Sequence, residues 1–280
     1  MAGGIIRAAV APHSPRMGIE AGAPPFLKPV IAGLRAMGKE MRAAKPDLFV
    51  LLSAHFVSTF NWQVTMQAEH KGLCVAEEAP DLIPGVPYQR RGDPVFAEAL
   101  VQEIEILGVP VVRNATPHYT WDYGTYVPLH YLDPEQTIPV VVLPSVLAAN
   151  LDECFSVGGA VRHAALATGR RVAFVASCAF AHKLSRGQGL WPAEHNQQRD
   201  REFIAQLVEG RITAAKAGFA EYAAAVDNEM GGRPIATMLG CLDDKHGERF
   251  VGLVHGDYGP SSGSGNASVA IRPASLPTTA

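Results

Sequence analysis

The sequence predicts an α/β fold with a single domain, in which a mixed, mostly parallel central sheet is flanked by helices. Short runs rich in Val, Ile and Leu alternate along the chain with longer amphipathic segments. Such alternation favours a largely parallel sheet with helices on both faces. The chain has 280 residues, of which 48% are hydrophobic, and no internal repeat or low-complexity linker divides it. We therefore expect one domain over residues 1–272, followed by a flexible tail over 273–280.

The first half of the chain alternates predicted strands and helices. Leu34, Met37 and Met41 recur at spacings of three and four residues, which places them on one face of a helix. Residues 70–92 contain several Gly and Pro, which predicts a long excursion over the surface. The elements predicted are a strand at 4–10, a helix at 29–44, strands at 48–54 and 61–67, a helix at 94–107, and strands at 109–113 and 138–143.

The second half continues this alternation and then becomes helical. A last pair of strands, separated by a loop, predicts a closing hairpin. The elements predicted are a helix at 152–167, a strand at 171–177, helical segments from 197, at 213–225 and at 235–242, and strands at 249–254 and 268–272 around a loop at 256–265.

Composition excludes several classes of function. The net charge of −3 provides no basic patch, so a nucleic-acid partner is not expected. No run of about 18 apolar residues is present, and the start lacks the basic and apolar regions of a signal peptide. We expect a cytoplasmic protein without a membrane partner. The four cysteines are far apart and form no CxxC pair, which argues against a zinc ribbon, and Cys178 is interpreted as a small buried filler.

Three histidines follow apolar, strand-like runs. His13 follows the run at 5–10, His55 follows the run at 48–52, and His182 lies a few residues beyond the run at 172–175. The carboxyl ends of strands in an open α/β sheet face the crevice where ligands bind. With one carboxylate, two of these imidazoles would form the 2-His-1-carboxylate set that leaves metal positions open.

The carboxylate is less evident from the residues alone, because the chain has 27 acidic residues. Glu229 stands out, since a glycine-rich turn and the start of a predicted helix follow it.

Six segments, in chain order, resemble class III extradiol ring-cleavage dioxygenases. This is the family of the protocatechuate 4,5-dioxygenase, homoprotocatechuate 2,3-dioxygenase and 2-aminophenol 1,6-dioxygenase catalytic subunits. The chain has Ala181 where the family usually has Ser. The segments that carry the resemblance are Ala11–Pro15, Ser53–Phe56, Asp122–Thr125 running on to Leu129, Ala176–His182, Glu229 with Met238–Gly240, and Ser262–Ala267.

The resemblance implies a catalytic dioxygenase domain that holds non-haem Fe(II) through His13, His55 and Glu229, with Asp227 as an alternative to Glu229. It implies that His182 is the catalytic base. Tyr123 replaces a histidine found in some members and, with a phenol pKa near 10, would donate a hydrogen bond rather than shuttle protons. His118 is near Tyr123 in sequence, which makes it a candidate for substrate binding.

The implied partners are a small aromatic substrate and O2, and the relatives suggest a homo-oligomer. The substrate would be a catechol, an aminophenol or a hydroxylated heteroaromatic ring. Arg16, Lys183 and Arg186 are candidates to bind a substrate carboxylate. Two alternatives remain open at this point: a metal-dependent hydrolase on the same His/His/Glu set, because Zn²⁺ uses such ligands, and a non-catalytic binding protein of the same fold.

Overall fold

Ten strands and seven α-helices form in the residues that the computed structural model describes, 3–242 and 248–276. The strands are β1 (Gly4–Ala11), β2 (Leu48–Ser58), β3 (Trp62–Thr65), β4 (Glu69–Val75), β5 (Pro84–Arg91), β6 (Val111–Asn114), β7 (Val140–Val146), β8 (Arg171–Ser177), β9 (Phe250–Ser261) and β10 (Ser264–Pro273). The helices are α1 (Lys28–Ala43), α2 (Pro94–Ile106), α3 (Tyr123–Leu132), α4 (Leu151–Thr168), α5 (Glu194–Val208), α6 (Ile212–Ala225) and α7 (Arg233–Cys241).

Six strands form the central sheet, in the order β7-β2-β8-β1-β10-β9. The first four are parallel to one another, whereas β10 runs antiparallel to β1 and β9 antiparallel to β10. The predicted mixed, mostly parallel sheet of an α/β fold is therefore confirmed. Strands β3 and β6 form a separate parallel pair, and β4 and β5 form an antiparallel pair.

The central sheet separates two hydrophobic cores. Along β2, Leu48, Val50 and Leu52 face one core, while Phe49 and Leu51 face the other. Helices α1 and α3 cover one face, and α2, α4, α5, α6 and α7 contribute to the core on the other. A strand buried on both faces is apolar at most positions, which explains the nearly continuous apolar runs in the sequence.

Strand register brings the carboxyl ends of three strands to one level. Ser177, at the end of β8, pairs with Ala11 of β1 on one side and with Ser53 of β2 on the other. His13 lies two residues beyond Ala11, and His55 lies two beyond Ser53. His13 therefore follows β1 as predicted, whereas His55 lies inside β2, just beyond its pairing with β8, and both approach the same edge of the sheet.

Residues 70–92 form a hairpin rather than an irregular excursion. Strands β4 and β5 pair from Glu69 with Arg91 to Val75 with Pro84. His70 anchors the hairpin from the buried side, where its Nε2 lies 3.2 Å from the carbonyl oxygen of Val140. The prolines in this segment argued against strands at the level of sequence. A two-stranded pair has only edge strands, however, and edge strands tolerate Pro.

Two other elements differ from the sequence prediction. Helix α3 was not predicted, because Pro128 interrupts its helical pattern. Most of the predicted loop at 256–265 belongs to β9 and β10, which a tight turn at Ser262 and Gly263 connects. Both turn residues have positive φ (51° and 86°), as a two-residue hairpin turn requires.

Strand β10 extends one residue beyond the predicted domain limit, to Pro273, and residues 277–280 lie outside the described part. The division at residue 272 stays a prediction. In the described ranges, none of the helices has both the length and the apolar character needed to cross a bilayer.

Candidate metal centre

Three predicted ligands converge at the carboxyl edge of the sheet. The Nε2 of His13 lies 3.2 Å from Oε1 of Glu229, and the Nε2 of His55 lies 3.6 Å from the same oxygen. One ligand atom from each residue falls within 4.8 Å of the other two. Two ligands of one metal ion, each about 2.1 Å from it and at right angles, are about 3 Å apart. The arrangement therefore fits a divalent ion with only small adjustments.

His13 is held in the tautomer that a metal ligand needs. The Ser177 hydroxyl donates a 2.5 Å hydrogen bond to the carbonyl oxygen of Gly124. Its oxygen is therefore free to accept the proton of His13 Nδ1, which lies 3.1 Å away. With Nδ1 engaged by Ser177, Nε2 is the nitrogen left for a metal, which would displace the proton that Nε2 shares with Glu229.

His55 lies in an irregular part of β2. The pairing between β2 and β7 shifts register between Ser53 and Val57, and the Ser53 hydroxyl accepts the backbone N–H of His55. Burial lowers the pKa of His55, but the hydrogen bond and the charge of Glu229 outweigh this and raise it above the usual value. A divalent metal at this position would displace that proton.

Glu229 begins a short 3-10 turn between α6 and α7, and its side chain is buried. The backbone N–H of Ala179 donates a 2.5 Å hydrogen bond to its Oε2. Burial raises the pKa of Glu229, but the charge and hydrogen bond of His13 outweigh it, so the pKa is well below the usual value. The alternative ligand Asp227 is exposed and is not part of the converging group.

His182 faces the same carboxylate from another direction. Its Nε2 lies 3.5 Å from Oε1 of Glu229, and its backbone forms a bridge with Ser264 of β10. Burial lowers the pKa of His182, and the charge of Glu229 only partly offsets this. The imidazole is therefore neutral at pH 7 and can accept a proton.

Tyr123 packs against the two histidines at the start of α3. Its ring centroid lies 4.0 Å from that of His55 and 5.8 Å from that of His13. The Tyr123 hydroxyl donates to Oε1 of Glu78. Burial, together with the bond to Glu78, raises the pKa of Tyr123, so the phenol stays protonated and acts as a donor.

Asp122 caps α3 and connects it to β2. Its Oδ1 accepts the backbone N–H of Thr125 at 2.9 Å and the Ser53 hydroxyl at 2.6 Å. Its Oδ2 accepts the Thr125 hydroxyl at 2.8 Å. This cap sets the position of Tyr123, which directly follows it in the chain.

Two cavities meet at the site. A cavity of about 300 Å³ is lined by the three converging residues, by His182 and by Arg16. A second cavity, of about 610 Å³, shares His55, Glu78 and Tyr123 with the first and extends toward Trp121. The first volume is at the lower end of the range for small-molecule pockets.

The structure separates the remaining candidates. Arg16 lines the smaller cavity, whereas Lys183 and Arg186 are exposed and line neither cavity. His118 is exposed and is not among the residues lining either cavity, so its role in substrate binding stays a prediction without support here. Cys178 is buried, and burial raises the pKa of its thiol well above the usual value, which agrees with its interpretation as a filler.

Sequence reasoning missed two residues at the site. Ser177 ends a predicted strand but carried no signal of its contact with His13. Glu78 lies between β4 and β5, in the segment predicted as a surface excursion, and no spacing relates it to His55 or Tyr123. Both contacts depend on residues far apart in the chain.

Comparison with known proteins identifies the family. Residues 7–267 match the family described as the catalytic LigB subunit of aromatic ring-opening dioxygenase. This match covers most of the chain, which therefore belongs to that family. The resemblance inferred from the six sequence segments is confirmed.

The curated relatives are distant. The chain is 28% identical over 195 residues to the 2-aminophenol 1,6-dioxygenase beta subunit of a Pseudomonas species, an alignment that covers 64% of this chain and 63% of that subunit. The chain thus matches less than two thirds of that subunit's length. It is 20% identical over 219 residues to the 3,4-dihydroxyphenylacetate 2,3-dioxygenase of Escherichia coli, covering 76% of this chain and 79% of that protein.

A solved structure shares the fold. The uncharacterized protein JW3007 of Escherichia coli K12 superposes with a TM-score of 0.63 at 18% sequence identity. The superposition covers 95% of this chain and 99% of that one. At this identity the likeness supports the α/β fold alone.

Proposed function

We propose that the protein is a non-haem Fe(II)-dependent dioxygenase that opens a catecholic, aminophenolic or hydroxylated heteroaromatic ring with O2, next to the pair of ring heteroatoms. The observation that carries this proposal is the convergence of His13, His55 and Glu229 around Oε1 of Glu229. Membership of a family of aromatic ring-opening dioxygenases supports it.

The proposed ligand set suits Fe(II), because two neutral imidazoles and one carboxylate leave positions open for other ligands. Bound there, Fe(II) would supply the redox chemistry that joins the substrate and O2. Both oxygen atoms would enter the product, a ring-opened muconic semialdehyde-type acid, while the ring bond beside the heteroatoms breaks.

His182 is proposed to accept a proton from a ring hydroxyl as the substrate binds and to return one later. Its position supports this role, since it lines the same cavity as the three ligands without belonging to their group. Burial lowers the pKa of His182, which favours the neutral imidazole that can accept a proton.

Tyr123 is proposed to orient the substrate by hydrogen bonding. Tyr123 lines both cavities and its phenol stays protonated, so its hydroxyl would turn from Glu78 to donate to an oxygen atom of the bound molecules. Homo-oligomerisation and the cytoplasmic location stay predictions, and the proposal includes both catechols and aminophenols as substrates.

The test is anaerobic reconstitution with Fe(II), followed by O2 uptake with catechols and 2-aminophenols. We expect uptake matched by a ring-opened product, no uptake by Glu229→Gln, and a rate about 10²–10⁴-fold lower for His182→Ala with iron still bound. His195→Ala, an exposed histidine that lines neither cavity, serves as the matched control. If the iron-loaded wild type consumed no O2 with any catechol or 2-aminophenol of the panel, the proposal would be contradicted. Turnover of such a substrate with Zn²⁺ and without O2 would also contradict it.

A further inference from the structure

Both candidate metal histidines have the same orientation. Each turns Nε2 toward Oε1 of Glu229 and Nδ1 toward a second partner. For His13 that partner is the buried hydroxyl of Ser177. For His55 it is the carboxylate of Glu78, whose Oε1 lies 3.6 Å from Nδ1.

Glu78 reaches the site from a different part of the fold than the ligands do. It belongs to the turn that connects β4 to β5, and its side chain is 62% exposed. The same Oε1 accepts the hydroxyl proton of Tyr123. The turn contains a second acid, Glu77, which also lines the larger cavity but, within the described part of the chain, forms no hydrogen bond or ion pair with His55 or Tyr123.

We propose that Glu78 is a positioning residue that orients the ring of His55 and the hydroxyl of Tyr123, and so couples the β4–β5 hairpin to the metal centre. A carboxylate that accepts the second ring N–H of a ligand histidine fixes its tautomer and raises its basicity. The Glu78 carboxylate, at ion-pair distance from Nδ1, favours a proton on that nitrogen, so Nε2 is the nitrogen that a metal would take once it displaces the proton shared with Glu229.

The position of Glu78 distinguishes this role from that of Ser177. Ser177 is enclosed in the core at the end of β8, whereas the Glu78 carboxylate borders solvent and both cavities. The Glu78 carboxylate also accepts the hydroxyl proton of Tyr123, the residue proposed to orient the substrate. Removing Glu78 therefore affects two groups at once, His55 on the metal side and Tyr123 on the substrate side.

The experiment measures metal affinity and does not depend on turnover. Co(II) alone is titrated anaerobically into wild type, Glu78→Ala, Glu78→Gln and the matched control Glu77→Ala, and binding is followed by visible absorption. We expect the Co(II) dissociation constant to rise about tenfold in Glu78→Ala, in the range found when the partner of a ligand histidine is removed. Glu77→Ala should bind like wild type.

Glu78→Gln should restore part of the loss, because its amide oxygen can still accept from His55 and Tyr123 without the charge. Thermal unfolding of the metal-free proteins separates positioning from a purely structural role. A Glu78→Ala protein that unfolds at a lower temperature but binds Co(II) like Glu77→Ala would overturn the proposal.

The inference rests on the proposed function only in requiring a metal at His13, His55 and Glu229. The two fail in different measurements. Equal Co(II) affinity in Glu78→Ala and wild type overturns the role of Glu78, whereas the absence of O2 uptake by the iron-loaded wild type overturns the dioxygenase.

Discussion

The hydroxyl of Ser177 determines which nitrogen of His13 is available to a metal. It donates to Gly124 and so accepts from Nδ1, which leaves Nε2, the nitrogen beside Glu229, for a metal. Ser177 also aligns β1 and β2 with β8, since it pairs with both Ala11 and Ser53. One residue thus serves the sheet through its backbone and the metal centre through its side chain.

Replacing Ser177 by Ala should lower divalent metal affinity about tenfold, because His13 loses the acceptor that fixes its tautomer. The measurement is the Co(II) dissociation constant of the purified variant. Ser268→Ala is the control: this serine is buried in β10, and its hydroxyl has no hydrogen-bond partner among the described residues. Equal affinity in the two variants would show that Ser177 does not act on the metal centre.

At the scale of elements, helix α3 depends on its cap. Asp122 satisfies the backbone N–H of Thr125 and also receives the hydroxyl of Ser53, two residues before His55. The start of α3 is therefore attached to the strand that carries a proposed ligand. The cap has both a stabilising and a positioning effect.

Asp122→Ala should lower the free energy of unfolding by about 1–2 kcal/mol through loss of the cap. It should also reduce kcat/KM on any substrate found, because Tyr123 and Ser53 lose their common anchor. Urea unfolding and steady-state kinetics measure the two effects. Asn150→Ala removes the cap of α4, a 2.8 Å bond to the N–H of Glu153, and should cost a similar stability with unchanged kinetics. Unchanged kinetics in Asp122→Ala too would remove the positioning role.

The β4–β5 hairpin is attached to the sheet by a histidine that folding keeps neutral. His70 is buried, with Nε2 against the carbonyl oxygen of Val140, and burial lowers its pKa to about 4. The unfolded chain binds a proton at His70 below about pH 6.5. Its contribution to stability is therefore complete above pH 6.5 and declines as the pH falls toward 4.

Between pH 7 and pH 5 this one group should reduce the free energy of unfolding by about 2 kcal/mol. His70→Gln, which keeps an N–H donor but does not titrate, should show a pH dependence weaker by that amount. Urea unfolding of both proteins at the two pH values gives the comparison. Parallel pH profiles would mean that His70 is protonated in the folded protein.

At the scale of the whole molecule, the position of Glu229 depends on how closely α4 and α7 approach. A Cβ at Gly158 would lie 2.1 Å from the carbonyl oxygen of Thr237, and a Cβ at Gly240 would lie 2.1 Å from that of Phe155. The two glycines allow the helix backbones to touch. Glu229 lies in the turn that enters α7, so we expect a displacement of α7 to move it relative to the sheet edge.

Gly158→Ala should destabilise the protein by about 1–3 kcal/mol through overpacking and should weaken Co(II) binding, because α7 must move. A Cβ at the neighbouring Gly159 would have no atom within 4 Å. Gly159→Ala should therefore leave the free energy of unfolding unchanged or raise it by up to about 1 kcal/mol. Thermal unfolding and Co(II) titration of both variants test this. A loss of stability in Gly158→Ala without any change in metal affinity would separate the helix contact from the metal centre.

Much of the architecture was predictable because it follows from local pattern. The strands that became β1, β2, β7 and β8 are continuous apolar runs, and burial on both sheet faces makes such runs necessary. The position of His13 beyond β1 follows from the same runs, whereas His55 lies inside the longer β2; helix α4 was predicted to within one residue at each end. The sequence by itself determined the fold class, the strands of the parallel core and the residues from which a metal centre was expected.

The tertiary structure alone decided which groups surround those residues. Ser177 contacts His13 across 164 positions of the chain, and Tyr123 bonds to Glu78 across 45. Packing also determined three further features: the hairpin that carries Glu78, the proline-containing helix that carries Tyr123, and the exposed position of Asp227. The hydrophobic periodicity of a sequence indicates which residues share a face of one helix or strand. The contacts of Ser177 and Glu78 depend instead on how elements distant in the sequence pack together, and no short segment of the chain shows that packing.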